Sequence, residues 1–288
     1  MKIDQVSAAA DGANNEDLVA VFRGERCTDI VIIDGGTSVA GTDYLDGGES
    51  DVVWFVKTFS SSLRDAIRHG KPQEESVVLA LADLGARFLA RPRAAAMPLY
   101  AYPIAAMTWV RVTEGERCVA LDIFCLGDCK TFLRRPDGSV VDLDPYTNPQ
   151  ELVLQRHIDD LRKAGVNDPA ERLRRLMPML RERRESQNLA PSPQVLCPLP
   201  RGPFDARKYR VDAEYEAMLF AMTDGFSRIF DTYQLRSVDS LANLCFQQGV
   251  EPALAELRGF ETARRGLAGQ SVKSADDASA VTCIFAVP

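Results

Sequence analysis

The order in which strand-like apolar runs and amphipathic helices follow one another is the feature that most constrains this fold. The predicted order is two strands, two helices, four strands, two helices, one strand, two helices and a final strand. The predicted strands are Leu18–Phe22, Ile30–Ile33, Ile104–Val112, Cys118–Cys125, Lys130–Arg135, Ser139–Leu143, Glu216–Met222 and Ala278–Phe285. The predicted helices are Asp51–Arg68, Glu74–Ala90, two within residues 148–187, Val238–Gln248 and Pro252–Arg265. Because regular β-α-β alternation is missing, this order predicts an α+β fold of antiparallel sheets with helices packed on them.

Residues 144–205 are expected to form a helical insertion and connector within a single domain spanning residues 1–288. Residues 148–187 predict two charged helices, and Leu189–Pro203 contains five prolines, which is typical of an extended connector. The nearly balanced charges of the helices are usual for a solvated face, whereas a lid or a substrate-docking flap is the functional alternative. The sequence leaves both interpretations open.

The charge balance bears on the partners of the chain. It has 34 Lys and Arg against 41 Asp and Glu, a formal charge of -7, which disfavours nonspecific binding to nucleic acid or to membranes. The segment before Asp17 lacks the apolar core of a signal peptide, and the longest charge-free stretch, Ala94–Val110, is too short for a membrane span. We therefore expect a soluble, cytoplasmic protein.

Histidine and cysteine usage narrows the chemistry. Only two histidines are present, His69 and His157, which excludes most zinc sites built from histidine and most triads that depend on it. The seven cysteines are scattered, mostly in apolar runs, and predict buried, reduced thiols. Cys125 and Cys129 could form half of a metal clip, but no second pair follows, and neither has a neighbouring base that would make it a nucleophile.

Acidic residues recur where predicted strands begin or end. A carboxylate at such a position is held by the sheet but faces its rim, and a neighbouring Gly lets the backbone approach a ligand closely. Any one Asp-Gly pair is more often a simple turn, as at Asp137–Gly138. The recurrence of the pattern is what indicates a site. The residues concerned are Glu16, Asp17, Asp34, Asp128, Asp224, Asp276 and Asp277.

If these strand ends converge, five or six carboxylates share one rim. Their mutual repulsion would raise their pKa values unless cations neutralise them. Ligation by oxygen alone favours Mg²⁺ or Mn²⁺ over zinc or copper. Two such ions can activate a water molecule and clamp a phosphoryl group.

Five short motifs occur in a characteristic order along nearly the whole chain, from Asn14 to Phe285. They are Asn14–Asp17, Val31–Gly36, Leu126–Cys129, Thr223–Gly225 and Asp276–Ser279. In this order they resemble the motifs of PP2C-type (PPM) metal-dependent protein phosphatases, and most closely the bacterial branch. The resemblance implies a four-layer αββα sandwich, in which two antiparallel sheets are flanked by helices on both outer faces.

The resemblance also implies a set of metal ligands. Asp34 would bridge two Mg²⁺ or Mn²⁺ ions, and the Gly35 carbonyl would ligate the second ion. Glu16 would hold that second ion through water, while Asp224 and Asp276 would ligate the first. The implied reaction is hydrolysis of phosphoserine and phosphothreonine in phosphoproteins by a hydroxide between the ions, with no phosphoenzyme.

Three further acidic residues have implied roles around this pair of ions. Asp128 matches the position associated with a third, weaker ion, which it shares with Asp224. Asp17 and Asp277 would orient the ligands from behind.

The sequence departs from the family pattern in four places. Gly12 stands where many members have an Arg that grips the substrate phosphate, and Thr37 follows Gly36 where some have a proton-donating His. Cys129 replaces the usual Ser, and Arg228 stands four residues after Asp224 where an acidic residue is common.

The first and last departures suggest a hypothesis about phosphate binding. Arg228, one helical turn beyond Asp224, could supply the phosphate contact that Gly12 cannot make. The alternative is that Arg228 extends to solvent or pairs with Asp231.

Two other functions stay open at this point. The chain could be a catalytically weak or inactive pseudophosphatase that acts as a binding or regulatory module, an interpretation that Gly12 and Arg228 favour. It could also hydrolyse a small phosphorylated metabolite rather than a phosphoprotein.

Overall fold

The computed structural model describes residues 1–10, 14–45, 48–263 and 275–287, and within them the chain forms two antiparallel five-stranded sheets. Sheet I has the order β1-β10-β9-β6-β7, with bounds Lys2–Ala8, Ala278–Ile284, Met218–Met222, Lys130–Arg134 and Val140–Asp142. Sheet II has the order β2-β3-β4-β5-β8, with bounds Leu18–Arg23, Thr28–Gly35, Ala105–Glu114, Val119–Leu126 and Arg207–Ala213.

Seven α-helices and two single-turn 3-10 helices, Ala94–Ala96 and Leu99–Ala101, complete the described part of the chain. The α-helices are α1 Asp51–Arg68, α2 Gln73–Leu89, α3 Pro149–Lys163, α4 Pro169–Leu189, α5 Asp224–Ser227, α6 Val238–Gln248 and α7 Glu251–Ala263. Helices α3 and α4 occupy the segment in which two charged helices are predicted. None of the helices in the described residues has the length and apolarity that crossing a membrane requires.

Alternation along the strands explains the layered architecture. In β3, Val31 and Ile33 pack against α1 and α2, while Ile30 and Ile32 face sheet I. In β9, Leu219 and Ala221 face sheet II. The alternate residues Met218, Phe220 and Met222 pack against α6 and α7. Three apolar layers therefore separate four layers of structure, and the predicted α+β sandwich of two antiparallel sheets is confirmed.

Two strands were not among the predicted elements. β1 and β8 each lie at an edge of a sheet, and their burial alternates residue by residue instead of forming an apolar run. An edge strand of this kind buries only one face, so charged residues such as Lys2 and Arg210 occupy the other. The apolar criterion that found the central strands therefore misses them.

A buried ion pair joins two neighbouring strands of sheet II. Asp29 is 1% exposed and accepts hydrogen bonds from Trp109 Nε1 at 2.7 Å and from Arg111 Nε at 2.8 Å. One buried donor, Trp109, and one half-buried donor, Arg111, thus depend on a single carboxylate.

We predict that Asp29→Ala lowers the free energy of unfolding by about 3 kcal/mol, because it leaves the Arg111 charge unpaired next to the core. The matched control is Asp122→Ala, which removes an exposed partner of Arg210 and is expected to cost less than about 1 kcal/mol. Urea unfolding measures both values. Equal losses in the two variants would show that the buried pair adds nothing.

Candidate functional site

The register of sheet I brings three of the acidic motifs to one edge. Met222, the last residue of β9, is paired with Lys130 of β6 on one side and with Ala280 of β10 on the other. Asp224 lies just beyond this line. Asp128 and Asp276–Asp277 lie just before the first residues of β6 and β10, so all three motifs meet at the same edge.

Sheet II brings the other two motifs to this edge. Leu18 of β2 is paired with Ile33 of β3, so Glu16 lies beside Gly35, whose N–H donates to the Glu16 carbonyl at 3.1 Å. The backbone N–H of Asp224 donates to Asp34 Oδ2, also at 3.1 Å, across the two sheets. Carboxylates 190 residues apart in sequence are therefore neighbours.

Two glycines permit this close approach. A Cβ on Gly35 would lie 2.5 Å from the Glu16 carbonyl oxygen. A Cβ on Gly225 would overlap the Asp277 carbonyl and lie 3.2 Å from Asp276 Cβ. Any side chain at either position would push the segments apart.

Asp17 and Asp277 hold the backbone behind the cluster. Asp277 accepts from the N–H of Glu16 at 2.6 Å and from the N–H of Ala10 at 2.8 Å. Asp17 is buried and accepts from the Thr223 hydroxyl at 2.7 Å. These contacts are compatible with the orienting roles that the resemblance implies, and those roles stay predictions.

Arg228 has a partner that the sequence did not suggest. Its Nη2 lies 3.1 Å from Asp276 Oδ2, and its side chain is only 14% exposed. Asp231 instead accepts from the Ser227 hydroxyl at 2.6 Å. The alternatives of solvent or Asp231 for Arg228 are therefore both wrong in this structure.

Desolvation and like-charge repulsion raise the pKa values of three carboxylates of the cluster, those of Asp34, Asp224 and Asp17. Surrounding protein atoms and repulsion from Asp224 raise the pKa of Asp34 well above its usual range. The same two causes, with Asp276 as the strongest repelling charge, raise the pKa of Asp224 to about 7. Burial likewise raises the pKa of Asp17 against the opposing hydrogen bond from Thr223.

The donor set can be tested against a divalent cation. In the described residues, no three Asp, Glu, His or Cys side chains are grouped closely enough to hold an ion as they stand. The individual carboxylates are held by protein donors, such as Arg228 on Asp276 and Asn148 Nδ2 on Asp128 at 2.8 Å. The oxygen-only donors and their incompletely neutralised charge nevertheless fit Mg²⁺ or Mn²⁺ by chemical type. A bound ion would compete with these protein donors.

The sequence also singled out Cys129 and Gly12. Cys129 is buried, and burial followed by repulsion from Asp34 raises the pKa of its thiol well above the usual range, which disfavours a thiolate nucleophile. Gly12 lies outside the described residues. All seven cysteines are free thiols, and five of them are buried.

The helical insertion, α3 and α4, contacts this site. The sequence alone left open whether these helices are a solvated face or a flap. Arg184 of α4 donates to the carbonyl oxygens of Gly36 at 3.3 Å and Thr37 at 3.1 Å. Asn148, the residue that caps α3, donates to Asp128. Residues 172–184 are rich in arginine, which could have indicated contact with an acidic site. Nothing in this segment indicates that the contact is with the Gly36 and Thr37 carbonyls.

We predict that Asp34→Asn stabilises the cation-free protein at pH 7.5 by on the order of 1 kcal/mol, because it removes one repelling charge. The folded-state pKa values are raised, so their stabilising contribution is complete below about pH 4 and is lost as pH rises towards about 7. The advantage of the variant should therefore shrink at pH 5.

Thermal unfolding in EDTA checks this, with the exposed Asp65→Asn as the control that gains nothing. A lower melting temperature for Asp34→Asn at pH 7.5 would contradict the repulsion argument.

Comparisons with known proteins give structural matches only. No protein-family model matches the chain, and a search of curated proteins finds no match either. Among solved structures, the serine/threonine phosphatase Stp1 from Staphylococcus aureus matches with a TM-score of 0.56 and 11% identity, over 99% of this chain and 95% of that one.

Two further structures match over almost their whole length. The serine/threonine phosphatase of S. agalactiae has a TM-score of 0.53 and 14% identity, over 98% of this chain and 99% of that one. The Mycobacterium tuberculosis serine/threonine phosphatase PstP/Ppp has a TM-score of 0.51 and 16% identity, over 99% and 98%. A structure of the PstP catalytic domain in complex with two manganese ions has the same TM-score and coverage, at 15% identity.

The matched structures cover both sheets and the helices on their outer faces. Matches over 98–99% of this chain confirm the fold that the ordered motifs imply. The chain has the fold of the bacterial PP2C-type serine/threonine phosphatases.

Proposed function

We propose that this protein is a metal-dependent phosphatase that hydrolyses phosphoserine and phosphothreonine monoesters. The observation that carries the proposal is the convergence of the acidic motifs at one edge of the sandwich, seen in the hydrogen bond from Asp224 N–H to Asp34. The fold, which the chain shares with serine/threonine phosphatases, is consistent with this activity. The expected partner is a phosphoprotein substrate.

The residues present would divide the work of holding two ions. Asp34, Asp224 and Asp276 would supply carboxylates. The Gly35 carbonyl and Glu16 would complete the ligands of the second ion, and Asp128 would hold a weaker third ion. Bound Mg²⁺ or Mn²⁺ would polarise the attacking water and neutralise charge on the phosphoryl oxygens. The PstP structure with two manganese ions supports this choice of metal.

The protein's own contribution is to position these oxygens. Asp277 fixes the backbone of Glu16, and the bond from the Thr223 hydroxyl to Asp17 fixes the residue before Asp224. The Ser50 hydroxyl, at the start of α1, donates to Glu16 Oε1 at 3.4 Å. The raised pKa values mean that cation binding competes with protons below about pH 7.

One observation favours a second function, a binding module without hydrolysis. The guanidinium of Arg228 is paired with Asp276, one of the carboxylates assigned to the first ion. A protein cation at that carboxylate partly replaces the charge that a metal supplies. In this alternative the domain binds a partner, and the ion pair lowers the affinity of the site for metal ions.

A cytoplasmic location belongs to the proposal as well. Seven free thiols, five of them buried, are compatible with a reducing compartment.

We expect p-nitrophenyl phosphate to be hydrolysed in the presence of Mn²⁺ or Mg²⁺, and turnover to be lost with EDTA and in Asp34→Asn. Mn²⁺ should also raise the melting temperature of the wild type but not of Asp34→Asn, because a ligand stabilises only the state it binds. Asp65→Asn is the control in both measurements. Absence of turnover under every metal condition would favour the binding module.

We expect Arg228→Ala to raise the KM for p-nitrophenyl phosphate about tenfold, if its remaining N–H groups contact the substrate phosphate. Mn²⁺ affinity should be titrated in parallel, since the substitution also frees Asp276. An unchanged KM at saturating Mn²⁺ would reject the phosphate-binding role of Arg228.

A further inference from the structure

The helical insertion is attached to the candidate site at two separate points. Arg184 of α4 is 8% exposed and donates to the carbonyls of Gly36 and Thr37, directly after Asp34 and Gly35. At the other end, Asn148 before α3 donates to Asp128. The insertion is therefore fixed against both acidic motifs rather than forming only a solvated face.

The electrostatic environment of Arg184 shows which groups this part of α4 faces. Burial, with repulsion from Arg183, lowers the pKa of Arg184 to about 10, and attraction to Glu16 opposes the change. The second arginine, Arg183, experiences the charges of Asp128 and Glu151 instead. The charges that attract these two consecutive arginines therefore belong to different acidic motifs, Glu16 for Arg184 and Asp128 for Arg183.

Arg183 is incompletely paired in its position. Its Nε is buried and has no hydrogen-bond partner among the described residues. Desolvation lowers the pKa of its guanidinium despite the attraction of Asp128 and Glu151. Burying a cationic donor without a partner is unfavourable, and an anionic ligand would remove the penalty.

A second unused donor faces the same region. Arg228 Nη1 is also buried without a partner in the described part of the chain, while Nη2 of the same guanidinium contacts Asp276. Glu151, in the first turn of α3, is attracted by both Arg183 and Arg228, which indicates that the two guanidiniums approach it from different elements.

Arg172 provides a useful contrast. It also has buried Nε and Nη2 atoms without partners, but its Nη1 donates to the carbonyls of Val166 and Asn167. That arginine closes the turn between α3 and α4. Incomplete pairing alone therefore does not select Arg183. What selects it is its place on α4 directly before Arg184, which bonds to Gly36 and Thr37, together with the attraction of Asp128 for its guanidinium.

We propose that Arg183, supplied by the helical insertion, binds the phosphate group of the substrate together with Arg228. Arg184 and Asn148 act as positioning residues that hold the insertion against the site. The inference rests on the proposed function and deepens it, because it assigns the phosphate contact to an element other than the segment containing Gly12. Two guanidiniums facing a dianion also explain how phosphate could approach a strongly acidic rim.

Arg183→Met retains the aliphatic stem and removes the charge. In the Mn²⁺-loaded protein we expect the KM for p-nitrophenyl phosphate and the inhibition constant of inorganic phosphate to rise at least about tenfold. The value of kcat should change by less than about threefold, and the Mn²⁺ affinity from thermal-shift titration should be unchanged. Arg183→Lys should restore part of the phosphate affinity and covers the case in which Arg183→Met fails to fold.

The matched control is Arg175→Ala, on the same helix, which removes an exposed partner of Glu171 and should change none of these values. Calorimetric titration of inorganic phosphate into the Mn²⁺-loaded proteins separates the two proposals. If the wild type turns over substrate but Arg183→Met leaves both KM and phosphate affinity unchanged, the inference is overturned and the proposed function stands. If the wild type shows no turnover but binds phosphate in an Arg183-dependent manner, the binding role stands and the proposed hydrolysis fails.

Discussion

The close approach of five backbone segments at one edge of the sandwich is the constraint on which the candidate site depends. Pairing of Met222 with strands on both sides aligns the ends of β6, β9 and β10, and the hydrogen bond between Gly35 and Glu16 adds the edge of sheet II. Glycines at 35 and 225 are needed because neighbouring backbone occupies the space of a side chain. Without this contact the same carboxylates would be separate turn residues in solvent, with ordinary pKa values and no shared chemistry.

This arrangement places mutually repelling carboxylates at the candidate site. Desolvated, mutually repelling carboxylates are unfavourable, and they persist because the apolar layers on both sides of each sheet hold the strand ends in register. Protein donors relieve part of the repulsion, with Arg228 on Asp276 and Asn148 on Asp128 as the clearest cases. The remaining charge accounts for the fit to hard divalent cations. Under the proposed function, a metal ion would compete with protons and with the Arg228 ion pair for these oxygens.

The helical insertion changes how the site is understood. A conventional two-sheet scaffold supplies the acidic rim, whereas the cationic groups come from α4 and from the turn after β9. Because Arg184 and Asn148 bond to the acidic motifs themselves, displacement of the insertion would disturb the carboxylates. If Arg183 binds the substrate phosphate as proposed, substrate binding and the positions of these carboxylates are coupled through a few hydrogen bonds.

Much of this could be predicted from the sequence, because it depends on local properties. Apolar runs located the central strands. Acidic residues at strand ends predicted an oxygen-donor metal site, and the structure brings these residues to one edge, while metal binding stays a prediction. Edge strands β1 and β8 escaped detection because half of each is solvated. Arg228 illustrates the limit most clearly: its nearest acidic neighbour in sequence is Asp231, yet it pairs with Asp276, 48 residues away. The sequence by itself determined which residues could form strands, helices and an oxygen-donor site. Only the tertiary structure decided which charges face one another, because those contacts depend on strand register and helix docking between segments far apart in the chain.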